Sequence, residues 1–163
     1  MDPVSNTVPS GTIDVGKILS EQNFNRAIPA GIGAALLGAA AWAIVTVATE
    51  MQLGLMAIAV GYVVGRAIRA VGHGVEERFG YLGAACALMG CVVGDVLSDI
   101  AFYAKIRHIG FGQALGDLDI AMLIKLVSTF ARPMDLLFYG IAVYEGYKFS
   151  FKYRLVKPAP AAQ

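Results

Sequence analysis

The chain has 163 residues, 57% of them hydrophobic and 15% charged, with a formal net charge of +1. Soluble domains carry about 25% charged residues, so this balance argues against an ordinary soluble domain and for an integral membrane protein. Near-neutral charge with no basic run also gives nothing to attract nucleic acid, and no nucleic-acid partner is expected.

Residues 1–26 read as a cytoplasmic N-terminal tail. Positions 1–12 are rich in Ser, Thr, Asn and Pro and read as disordered. Residues 13–25 read as a short interfacial helix whose apolar residues are Ile13, Ile18, Leu19 and Phe24. Pro3, Pro9 and Gly11 interrupt any apolar core of signal-peptide type, so the first apolar stretch is expected to remain as a span.

Residues 27–150 read as one transmembrane domain of four helices. Span one covers about 27–49, with no charge between Arg26 and Glu50. That length crosses a hydrocarbon core of about 30 Å. Pro29 is placed in its first turn, where a missing N–H costs nothing. Ala30, Ala34 and Gly38 form a ridge of small residues that favours close helix approach. After the short connection Glu50-Met51-Gln52, span two covers about 53–72 and holds Gly61 and Gly65 on one face. Span three covers about 79–103 and repeats the motif at Gly90 and Gly94. Spans two and three are therefore expected to cross at these glycines.

Cys86 and Cys91 are five apart, about 140° around a helix, so they do not bridge and read as small buried residues. Residues 114–131 have apolar positions at Leu115, Leu118, Met122, Leu126 and Phe130, with Asp117, Asp119 and Lys125 in the same run. This reads as an amphipathic helix on the membrane surface rather than a fifth span. Span four covers about 133–149, with Tyr139, Tyr144, Tyr147 and Tyr153 expected near the interfaces. Residues 151–163 read as a basic, disordered C-terminal tail. The fold class expected is thus an all-α integral membrane protein with four transmembrane helices plus an amphipathic interfacial helix.

Basic residues fix the expected orientation. Lys17, Arg26, Arg66, Arg69, Arg78, Lys148, Lys152, Arg154 and Lys157 fall on one side. Lys105, Arg107, Lys125 and Arg132 fall on the other. The richer side is the cytoplasm, which places both termini there.

A small-residue-rich first span with Trp42, a short acidic connection, and Gly61-x-x-x-Gly65 ending in arginines form a recognisable order. That order resembles uncharacterised small bacterial polytopic membrane proteins. The segment Asp135-Leu-Leu-Phe-Tyr-Gly-Ile-Ala-Val-Tyr-Glu-Gly-Tyr-Lys148 is similar to their closing segments. The resemblance covers spans one, two and four and fits a bacterial cytoplasmic (inner) membrane. It carries no activity or site.

Ionisable groups inside bilayer segments are the functional clues. From helix rise, Glu145 and Arg66 lie about 18 and 20 Å below the outer boundary, so an intramembrane charge pair Arg66–Glu145 is expected. Glu50, Asp95, Asp99 and Asp135 gather at the outer end. They read either as a mouth for a cation or proton, or simply as span ends in headgroup water. His73 and His108 are expected on opposite membrane faces and unable to ligate one metal together; His73 reads as part of a solvated turn. No HExxH, nucleophile elbow, phosphate loop or dinucleotide fingerprint occurs, so neither enzyme activity nor a cofactor is expected.

Three functions compete at this level. One is a structural or accessory subunit of a homo-oligomer or larger membrane complex. Another is a protomer of an oligomeric transporter or channel that uses Arg66, Glu145 and the outer carboxylates. A third is a membrane-surface sensor acting through the basic tail and the amphipathic segment. The partners expected are the lipid bilayer and a second copy or another membrane protein.

Overall fold

The computed structural model describes residues 19–51, 54–117, 119 and 133–152. They form five helices: α1 (Phe24–Thr49), α2 (Leu55–Gly72), α3 (Glu77–Arg107), α4 (Phe111–Gly116) and α5 (Pro133–Phe149). Asn23 opens α1, its side-chain oxygen accepting the Arg26 N–H at 3.1 Å. The cap starts the helix three residues earlier than the charge pattern suggested, so Pro29 falls in the second turn instead of the first. The N–H it lacks would have bonded the carbonyl of Asn25, and Asn25 is exposed. At the other end, α3 continues past the expected stop near 103 to Arg107. Lys105 and Arg107 occupy its last turn, where cations offset the exposed carbonyls of a helix C-terminus.

Small residues set the packing. Along α1 and α3, Gly31 lies against Cys86, Ala35 against Gly90 and Trp42 against Gly94, so these helices run parallel. Between α1 and α2, Ala27 meets Gly72 and Gly38 meets Val60, which makes that pair antiparallel. α5 runs parallel to α2, with Phe138 near Gly54, Ala142 on Gly61 and Phe149 on Gly65. It runs antiparallel to α3, with Gly146 and Ser150 on Gly83 and Tyr147 on Gly80. α2 and α3 therefore form the centre of the bundle, and α1 and α5 flank them without touching each other. α4 rests on the end of α3, with Ala114 packed among Ile100 and Ala104.

The distribution of side-chain size is the reverse of a soluble core. Ala27, Ala35, Ala39, Ala57, Ala87 and Ala142 are fully buried, whereas Leu37 is 74% and Ile44 69% exposed. In water such an apolar exterior would be a liability. In a bilayer it matches the solvent, and small buried residues bring the backbones close enough for dispersion contacts to hold the helices together. Three of the helices, α1, α2 and α3, are long and apolar enough to cross a membrane. α5 has 17 residues, with Asp135 in its first turn and Lys148 in its last.

Several sequence expectations change here. Gly61 and Gly65 do not cross Gly90 and Gly94. The first pair receives α5, and the second receives α1, with Val60 of α2 also touching Gly90. A Gly-x-x-x-Gly motif marks a face suited to close approach but does not name the helix that fills it. The buried stripe of α1 is Ala27, Gly31, Ala35, Ala39 and Ala43, joined by Ala34. It is centred one residue away from the expected ridge, of which Ala30 and Gly38 are half-buried. Tyr139 is 8% exposed and points into the bundle rather than to an interface. Cys86 and Cys91 are buried free thiols, as their spacing implied. The amphipathic stretch 114–131, apart from the end of α4, lies largely outside the described residues. So do residues 1–18 and the tail beyond Lys152.

Candidate functional site

The charged residues collect at the two ends of the bundle. At one end, α1 finishes at Glu50, α3 at Arg107, and α2 and α5 begin. At the other, α1 and α3 begin while α2 and α5 finish.

The first end holds the four carboxylates read from the sequence, and the fold divides them. Glu50 turns toward α3, where Lys105 Nζ reaches its Oε1 at 2.8 Å and the Val47 carbonyl at 3.0 Å. The ammonium holds the Glu50 carboxyl below its usual range, first by hydrogen bonding and then by charge. Asp95 accepts a hydrogen bond from the Tyr139 hydroxyl across the α3–α5 interface. Asp135 and Asp99 are close enough for their charges to act on Asp95. The acidic group at this end is therefore Asp95, bonded to Tyr139, with Asp99 and Asp135 near it, while Glu50 is drawn aside by a lysine. Among the described residues no set of three His, Cys, Asp or Glu side chains has the arrangement of a metal site.

The second end is built from backbone. Asn23 N–H donates to the Gly72 carbonyl at 2.9 Å, and Lys152 N–H donates to the Gly74 carbonyl at 2.8 Å. Gln22 accepts from the Val75 N–H and donates to Glu76. The turn between α2 and α3 thus fastens the chain on both sides. Arg78 pairs with Glu76 at 2.7 Å and lies over the rings of Phe24 and Phe79. Beside this turn is a cleft of about 310 Å³ lined by Arg66, Arg69, Ala70, His73 and Lys152. His73 caps α2 in a left-handed conformation, φ 48°, and its Nδ1 is buried with no hydrogen-bond partner.

In comparisons with known proteins, no family model, no curated protein and no solved structure matches the chain.

The expected pair Arg66–Glu145 does not form. Arg66 is exposed and opens into the basic cleft. Glu145 is half-buried, and its Oε2 is enclosed with no hydrogen-bond partner. Equal depth on two helices leaves the direction around each axis undetermined, and here that direction separates the side chains. His73 and His108 lie at opposite ends of the bundle, in agreement with the sequence. The sequence reading missed the cleft, although Arg66, Arg69 and His73 recur at intervals of three and four and so share one face of α2. Lys152 could be added only once α5 was seen to run parallel to α2.

Proposed function

We propose that the protein is a non-enzymatic structural or accessory subunit of a membrane assembly, docking a partner helix in a furrow between α1 and α3. The observation that carries this is the furrow itself. It has a volume of about 560 Å³, and its walls are Ala40, Ala43, Ile44, Val47, Ala48, Leu97 and Ala101, with Phe111 of α4 at one end. Alanines lining an open groove on a lipid-facing surface permit the close backbone approach by which membrane helices associate. The occupant is a transmembrane helix of a second copy or of a partner subunit.

In this reading all four long helices cross the bilayer and residues 114–131 lie on its surface. Support comes from α5 running antiparallel to α3, so that it begins at the end where α3 stopped and carries the chain back to the end where α3 began. Residues 22–23 and Lys152 meet at the same turn, in keeping with both termini on the cytoplasmic side of a bacterial inner membrane. A transport path is less well supported: Glu50 is engaged by Lys105, Asp95 by Tyr139, and Arg66 faces outward.

Native mass spectrometry of the full chain in mild detergent tests the proposal. The expected result is a homo-oligomer or a stoichiometric complex. Ala40→Trp combined with Ala101→Trp should fill the furrow and release monomer without lowering the thermal midpoint. A monomer from gentle extraction, or an assembly untouched by the double variant, would overturn the reading.

A further inference from the structure

We infer that the cleft formed by Arg66, Arg69, His73 and Lys152 is a binding site for a phosphoryl group, held in place at the cytoplasmic headgroup level. This inference rests on the membrane reading and orientation proposed above, but not on the furrow being occupied.

The side chains of Arg66 and Arg69 have no ion-pair or hydrogen-bond partner among the described residues. Both nevertheless line one cleft of about 310 Å³ together with Lys152. Two unpaired guanidinium groups facing one small volume repel each other unless an anion lies between them. The acidic residue nearest in the turn is unavailable, because Glu76 is held by Arg78 and Gln22. The carbonyls that would oppose an anion at the end of α2 are also engaged. Those of Arg69, Gly72 and Gly74 accept the N–H groups of His73, Asn23 and Lys152. His73 adds a buried Nδ1 without a partner, which is able to donate to an oxygen when it carries the proton.

Depth decides the ligand class. Arg66 lies six residues before the end of α2, about 9 Å along the axis, within the reach of a snorkelling side chain. Its guanidinium therefore approaches the level of lipid phosphates. A planar fork of this kind matches two phosphate oxygens, and Arg69, one turn on, supplies a second fork. The cytoplasmic leaflet is rich in anionic lipid, and each basic residue near it contributes roughly a factor of five in affinity.

The test uses the full chain in detergent, titrated with phosphatidylglycerol, phosphatidylcholine or inorganic phosphate, and read by thermal midpoint and native mass spectrometry. Phosphatidylglycerol should raise the midpoint and remain bound, and phosphatidylcholine should do neither. Arg66→Gln with Arg69→Gln should weaken binding about 25-fold, from two residues at about fivefold each. Ala70→Glu should also abolish binding while keeping every cation, which covers the case in which the double variant fails to fold. If inorganic phosphate reproduces the effect with the same loss in the variants, the site stands and its ligand is a soluble phosphate. Equal response to the two lipids without a phosphate effect, or wild-type binding by Ala70→Glu, would overturn the inference. The oligomeric state, read from the same spectra, separates this outcome from the subunit proposal.

Discussion

The Tyr139 hydroxyl donates to the Asp95 carboxylate, joining α5 to α3 in the half of the bundle where both helices carry their aspartates. This is the polar counterpart of the glycine contacts at the opposite end of the same interface. Asp95 is half-buried. Tyr139→Phe should therefore cost about 0.5–1.5 kcal/mol, the range for a typical intramolecular hydrogen bond. Asp95→Asn should cost less, since an amide still accepts from the hydroxyl. A double-mutant cycle on thermal or denaturant unfolding should show coupling, and additive losses would mean that the contact contributes nothing.

Backbone approach on the α5 side can be tested with single methyl groups. A Cβ at Gly61 would strike the Ala142 backbone, and one at Gly146 would lie 2.6 Å from the Gly83 carbonyl oxygen. Gly61→Ala and Gly146→Ala should each destabilise by about 1–3 kcal/mol through overpacking. Nothing lies within 4 Å of a Cβ built at Gly33 or Gly140. Alanine at either should be neutral or stabilising by up to about 1 kcal/mol, as for glycine in any helix interior. Equal behaviour of all four in a thermal-shift assay would contradict the packing.

The Glu50–Lys105 pair predicts a particular pH dependence. Because the lysine lowers the folded-state pKa of Glu50 below the ordinary value of 4.5, the pair adds stability above that value and loses it as pH falls through the lowered pKa. Glu50→Gln should thus lower the thermal midpoint slightly at neutral pH and match the wild type in acid. The difference should shrink in high salt, since both groups are on the surface. A difference that persists once the glutamate is fully protonated would show that it acts by something other than its charge.

His108 ends α3 in the left-handed region with φ 54°, where a side chain costs about 1–2 kcal/mol. Its backbone N–H caps the helix by donating to the Lys105 carbonyl at 3.2 Å. His108→Gly keeps that donor and removes the strain, so it should raise the unfolding free energy by about 1 kcal/mol. His108→Val should lower it. The order of the three midpoints is the measurement that checks this.

The spans along α1, α2 and α3 were legible in the sequence because long charge-free runs have few other destinations. The small-residue faces were legible as well, since spacing by four fixes a face. Their partners were not, because a face carries no information on which helix fills it. Ala142, Gly146 and Ser150 make a ridge at the same spacing, which the charge of Glu145 between them obscures. The proposed Arg66–Glu145 pair failed for a related reason: rise along an axis gives depth, whereas contact also needs the angle around it. Glu50 groups with the aspartates in the sequence because a span ending near 103 leaves Lys105 beyond it. Once α3 extends by another turn, that lysine lies beside the end of α1.

The middle position of α2 and α3 has a consequence for how the protein is made. Synthesis runs from the N-terminus, so α1, α2 and α3 enter the membrane before α5 exists. α1 can settle onto its partners at once. Gly61, Gly65 and Gly83 must wait, presenting a strip of bare main chain to acyl tails until Ala142, Gly146 and Ser150 arrive to cover it. Until α5 is made, that side of the bundle lacks its cover, and any factor that shields newborn membrane proteins would find its target there.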